Sequence, residues 1–189
     1  MYSEATPNPN ALKFILGKPV VTEGYHLFSS LQEASGLSVL EDILSLPGIL
    51  SVLLAPEFIT VNKADSVPWS LLESILLSAF HYHLETFPLS PQPSTAHLQD
   101  NRFFQWTPPT PDVAALCETI ESIIETRIRP AIEADGGIIT FQAFEDGIVY
   151  VKLQGACSSC PHSAETLKGG IEQTLSYLVP EVREVAIVA

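Results

Sequence analysis

The chain has 189 residues, 46% of them hydrophobic and 16% charged, which describes a well-cored globular protein of one domain or two small ones. Its net charge of −13 is shared, with 10 acids and 4 bases in residues 1–110 and 12 acids and 5 bases in residues 111–189. That charge repels phosphate backbones and anionic lipid and argues against nucleic-acid and membrane-surface partners; three cysteines do not make a disulfide-stapled secreted scaffold.

In chain order, residues 11–16 read as a strand ended by Gly17, and residues 37–46 carry apolar side chains at helical spacing up to Pro47-Gly48. Residues 49–54 and 58–61 read as two strands around a turn at Ala55-Pro56-Glu57. Residues 69–80 resume the helical period through Leu72, Ile75, Leu76 and Ala79. Residues 1–88 are thus expected to form a small α+β domain without a cysteine or a glycine-rich phosphate loop. Residues 89–110 are dense in Pro, Ser, Thr and Gln, and prolines remove backbone donors and disfavour helix before them, so this stretch reads as a semi-extended linker. Phe103, Phe104 and Trp106 stand out in it as aromatics that seek cover on a domain or a partner.

Residues 111–189 are expected to form a second α+β domain in the order helix, strand, strand, helix, strand. Val113, Leu116, Ile120, Ile123, Ile124 and Ile128 share a helix face that stops at Ala134-Asp135-Gly136-Gly137. Ile139, Phe141 and Ala143 alternate with Thr140 and Gln142 as in a half-buried strand, and Glu145-Asp146-Gly147 turns into a second strand ending at Leu153. A helix from about Pro161 to Leu178 and a strand over residues 184–188 complete the unit. No stretch reaches the roughly 20 apolar residues that span a bilayer. The N-terminus shows neither a signal-peptide pattern nor an Arg/Ser-rich amphipathic helix, so a bacterial cytoplasm is expected, or alternatively a mature form in the mitochondrial matrix.

The chemistry is expected at Cys157-Ser158-Ser159-Cys160-Pro161, where a strand gives way to a helix. Pro161 suits a first helical position, and the free N–H groups and dipole of a helix start favour thiolate, the form that binds soft metals. Cys157 and Cys160 are therefore the candidate metal and cofactor ligands, with no catalytic residue assigned. Cys117 lies on an apolar helical stripe and is expected to pack as a small hydrophobe. His81 and His83 close an apolar helix in the other domain, where exposure or capping is expected, and His162 sits too close to Cys160 to complete a tetrahedron with it. CxxC alone serves zinc, iron–sulfur and dithiol redox chemistry alike, so a dithiol–disulfide oxidoreductase and a zinc-bridged interaction module remain open. Two thiolates per chain are half of a four-thiolate cluster site, which two copies would complete in an exposed, easily dismantled form.

Several runs in order, Arg129-Pro130, Asp135-Gly136-Gly137, Gly155-Ala156-Cys157-Ser158-Ser159-Cys160-Pro161, Thr166-Leu167-Lys168, Gly170-Ile171-Glu172 and Val179-Pro180-Glu181-Val182, resemble the C-terminal domain of NifU. Thr6-Pro7-Asn8-Pro9-Asn10, Leu12-Lys13-Phe14, Phe58-Ile59-Thr60-Val61 and Trp69 resemble the N-terminal domain of Nfu-type proteins. The resemblance covers both domains and leaves out mainly the linker. It implies a non-enzymatic iron–sulfur cluster carrier that receives a cluster from an upstream assembly scaffold and hands it to recipient apo-proteins. It also implies that Cys157 and Cys160 bind the cluster, a 4Fe–4S form more typically than 2Fe–2S, bridged in a homodimer. Ser159 stands where many relatives have Gly, and Ile138 where many have an acid, departures that bear on cluster lability and loop geometry.

Overall fold

The computed structural model describes residues 1–89, 106–158 and 161–188, the last segment without the side chains of 161–164. The chain divides into two compact units, Met1–Ser94 and Thr95–Ala189. No helix among the described residues is long and apolar enough to cross a membrane.

The first unit is built on a five-stranded antiparallel sheet of β1 (Tyr2–Ala5), β2 (Ala11–Ile15), β3 (His26–Phe28), β4 (Ile49–Leu54) and β5 (Ile59–Lys63), in the order β1-β2-β5-β4-β3. All five residues of the central β5 are buried, which is why its run of Ile, Thr and Val is legible as a strand. Helices α1 (Ser38–Leu44) and α2 (Trp69–Tyr82) supply Val39, Leu40, Ile43, Leu72, Leu76 and Phe80 to one core with Leu12, Phe14, Val52, Leu54, Ile59 and Val61. Phe14 and Phe80 meet with ring centroids 5.1 Å apart. Leu89 is buried in the same core, and its N–H donates to Val20 O at 2.7 Å. The edge strands β1 and β3 escape the sequence reading because β1 is mostly exposed and β3 only three residues long, so neither carries a period.

The second unit opens with α3 (Pro111–Ile123), capped by Thr110, whose Oγ1 accepts from Val113 N at 3.3 Å, with Pro111 at the first turn as its missing donor allows. The helix expected through Ile128 up to Ala134 runs without a break as α3, a wide turn of π type over Ile124–Ile128, and α4 (Arg129–Ala134). Pro130 has no N–H to offer the preceding turn and its ring crowds the Thr126 carbonyl, which favours the widening. The widening also serves the core. Ile120, Ile124, Ile128 and Ile132 recur every four residues, a spacing that drifts about 40° per step on an α-helix and is pulled back onto one face by a wider turn.

Strands β6 (Gly137–Glu145), β7 (Ile148–Gly155) and β8 (Glu184–Val188) form a three-stranded sheet with β7 central, antiparallel to β6 and parallel to β8. β7 alternates buried and half-buried without a break. β6 does not, because a bulge follows Phe141: Phe141 pairs with Val151 but Ala143 with Tyr150. The bulge reverses the faces beyond it: Phe144 joins the cluster shared with Val149 and Val151, while Ala143, buried as alternation expects, pairs with Tyr150 on the other face. Asp146 (φ 48°) and Gly147 (φ 81°) form the two-residue hairpin turn between the strands, both left-handed as a type I′ turn requires. Arg183 holds that turn from below, its N–H donating to Gly147 O at 2.8 Å and its guanidinium to Asp146 O. Helix α5 (Pro161–Leu178) packs Ile171 and Leu175 onto the sheet, and Glu172 Oε2 accepts from Val185 N at 2.9 Å.

Candidate functional site

The end of β7 turns sharply at Gly155 (φ 72°) into a short 3-10 turn, Ala156–Ser158, ahead of α5. The left-handed φ makes glycine the residue of choice there. Two bonds hold the turn: Ala156 N–H donates to Gly136 O at 3.1 Å, and Ser158 Oγ donates to Gly155 O at 2.9 Å. Cys157 is thereby carried back against the start of β6. Its side chain is 9% exposed and belongs to the apolar cluster that includes Ile132, Ile139, Leu153 and Ile171. The expectation of an exposed thiol away from any apolar face is corrected for Cys157, because the turn folds residues 156 and 157 inward and leaves Ser158 outside.

Cys160 and Ser159 lie outside the described residues, as do Phe103 and Phe104, and the side chain of His162 is likewise not described. Among the described residues no three His, Cys, Asp or Glu side chains converge as a metal site. Cys117 is 5% exposed on the core face of α3. Burial pushes its thiol above the ordinary range, and the Glu121 carboxylate adds to the effect.

His81 is exposed, whereas His83, at the C-cap of α2, is buried. Its Nε2 lies 2.7 Å from Asp42 Oδ2 and its Nδ1 3.4 Å from Ser38 Oγ, so it ties the end of α2 to α1. Trp106 packs onto the second unit's core, its ring centroid 6.4 Å from that of Phe141 and the two rings nearly perpendicular, which answers for one of the three linker aromatics. The surroundings of Cys157 were missed by sequence reasoning. The available signal was the doubled glycine at 136–137, where ending a helix needs only one.

Fold and site together define a two-unit α+β protein whose second unit sets a cysteine at a hairpin-to-helix turn. Residues 1–86 match the family model for the scaffold protein Nfu/NifU N-terminal domain, and residues 120–186 match the NifU-like domain. The chain is similar to the NFU1 iron-sulfur cluster scaffold homolog, mitochondrial, of Homo sapiens, at 36% identity over 97% of this chain and 69% of that protein. It is also similar to NifU-like protein 4, mitochondrial, of Arabidopsis thaliana, at 37% identity over 97% of this chain and 64% of that protein. Among solved structures, a NifU-like protein from Saccharomyces cerevisiae matches 49% of this chain and 84% of its own at 21% identity, with a TM-score of 0.43. The chain belongs to the Nfu-type, NifU-like scaffold family.

Proposed function

We propose that the protein is a non-enzymatic carrier of an iron–sulfur cluster, held as cargo by the thiolates of Cys157 and Cys160. The observation that carries this reading is the coincidence of the CxxC turn, after the left-handed Gly155, with family models matched in both halves of the chain. Thiolate is the donor that iron–sulfur clusters take from proteins, and four are needed, so two chains share one cluster. Of the cluster types, 4Fe–4S is the one proposed. Gly155 and the small serines Ser158 and Ser159 leave room for the cargo and the second copy to approach. The cluster arrives from an assembly scaffold and leaves for apo-proteins. Division into residues 1–88 for partner recognition, a linker over 89–110 and a cluster-binding unit over 111–189 is part of the same proposal. The mitochondrial names of the relatives support the organellar alternative for its location.

Anaerobic reconstitution with iron and sulfide tests the reading. Visible charge-transfer absorbance should appear together with a dimer in size-exclusion chromatography. Cys157→Ser and Cys160→Ser should each abolish both signals, and Cys117→Ser should keep them. Turnover of a disulfide substrate by a monomer, or zinc without iron and sulfide in protein purified without oxygen, would replace this reading with a redox or zinc-bridged one.

A further inference from the structure

The two adjacent glycines at the start of β6 answer to different demands. Gly136 has φ +75°, where side chains are strained, and it ends α4. Gly137 lies outside the left-handed region, so its backbone is open to any residue, and only space keeps a side chain out. A Cβ built on it would stand 2.4 Å from Cys157 Sγ, 3.1 Å from Cys157 Cβ and 3.2 Å from Ile132 Cγ2.

At 2.4 Å something must move. Gly137 is paired with Gly155 in the β6–β7 register, which fixes its backbone, and Ile132 is fully enclosed in the core. The 2.4 Å conflict falls on Sγ, the far end of a side chain that turns about a single bond between staggered positions, while the contacts of Cys157 Cβ and Ile132 Cγ2 need give only by a few tenths of an ångström. We infer that Gly137 is a positioning residue for Cys157: the space left by its missing side chain is the seat that holds Sγ in one orientation. This rests on the proposal that Cys157 is a cluster ligand and adds to it the residue that presets the ligand. A donor already held in place gives up less rotational freedom when it binds. Neighbouring glycines thus divide the labour, one ending a helix and the other seating a sulfur.

The test uses the full-length apo-protein. Iodoacetamide labelling is followed at each cysteine by mass spectrometry, with thermal unfolding alongside. Gly137→Ala should turn the Cys157 thiol out of its seat, so that Cys157 is labelled faster while the rate at Cys117 stays unchanged, and iron–sulfide loading should fall. The lower Tm of Gly137→Ala should be recovered when Cys157→Ala removes the sulfur from the same chain. An unchanged labelling rate at Cys157 overturns the inference, as does an equal loss of Tm with and without the sulfur, which would put the conflict at Ile132 and the Cβ of residue 157 instead of at the sulfur. Should Gly137→Ala alone fail to fold, the double variant decides: recovered folding supports the seat and continued failure overturns it. If wild-type protein loads no cluster while labelling and melting behave as expected, the carrier reading falls and the seat stands.

Discussion

The two units differ most in what they bury besides hydrocarbon. In the first, the cationic groups that enter the core region meet partners: Lys63 Nζ donates to Asn10 Oδ1 at 2.8 Å and lies over the Trp69 ring, Lys13 lies over the Phe58 ring and 3.8 Å from Glu4, and the His83 ring meets Asp42. Each pairing removes the cost of taking a polar group out of water. In the second unit the chemically soft groups, Cys117 and Cys157, are enclosed mainly by aliphatic side chains. Under the proposed division of the chain, the partnered core would carry the surface that recognises other proteins. A core that encloses a thiol beside a strand end keeps chemistry within reach of a turn. The same α+β means therefore serve two ends.

The contrast can be broken by experiment. Beyond the complete loss of cargo binding expected for Cys157→Ser, the largest effect should come from the first unit's aromatic pair. Phe80→Ala, which empties the space against Phe14, should cost about 3–5 kcal/mol in denaturant unfolding. A cost near zero would mean that the two rings do not organise that core. Next comes the hairpin of the second unit. Gly147→Ala forces a side chain into the left-handed region, at roughly 1–2 kcal/mol, and its Cβ would meet Arg183 Nε at 2.4 Å, so urea unfolding should show at least that loss. Thr110→Ala removes the cap of α3 and should cost about 1 kcal/mol by the same measurement.

The smallest effect is a pH dependence. The folded Cys117 thiol titrates above its unfolded value, so its contribution is fully present below the unfolded value and is lost as pH rises through the folded one. Unfolding titrations across the alkaline range should show stability falling with pH, and Cys117→Ala should flatten that slope. An unchanged slope would show that the buried thiol is not what couples this unit to alkali.

Much of this was readable from residue order, and the misses have physical causes. β7 announces itself because every second side chain enters the core, α2 declares itself by its period, and β5 by its unbroken run of strand-forming residues. What a period cannot show is a departure from regular geometry. The wide turn at Ile124–Ile128 and the bulge after Phe141 each change the count of residues per repeat, so alternation shows the burial of Ala143 but not that of Phe144 beside it. β1 was hidden for another reason, since an exposed edge strand held by backbone bonds leaves little trace in side-chain polarity. At the site, the spacing of Cys157 and Cys160 points to the ligand pair that the proposed function assigns. The inward aim of Cys157 was not legible, because it depends on a contact with Gly137 across the hairpin rather than along the chain.

The Gly137–Gly155 pairing bears on the order in which the second unit assembles. Both glycines belong to one hairpin closed by a two-residue turn, so the neighbourhood of the sulfur is made from near contacts in the chain. β8 must instead return across the whole of α5 before it can lie beside β7, and such distant pairings are slow to form. In a nascent chain, closing the hairpin is expected to set Gly137 beside Cys157 before the last strand docks, the rest of the enclosure waiting for Ile171 of α5.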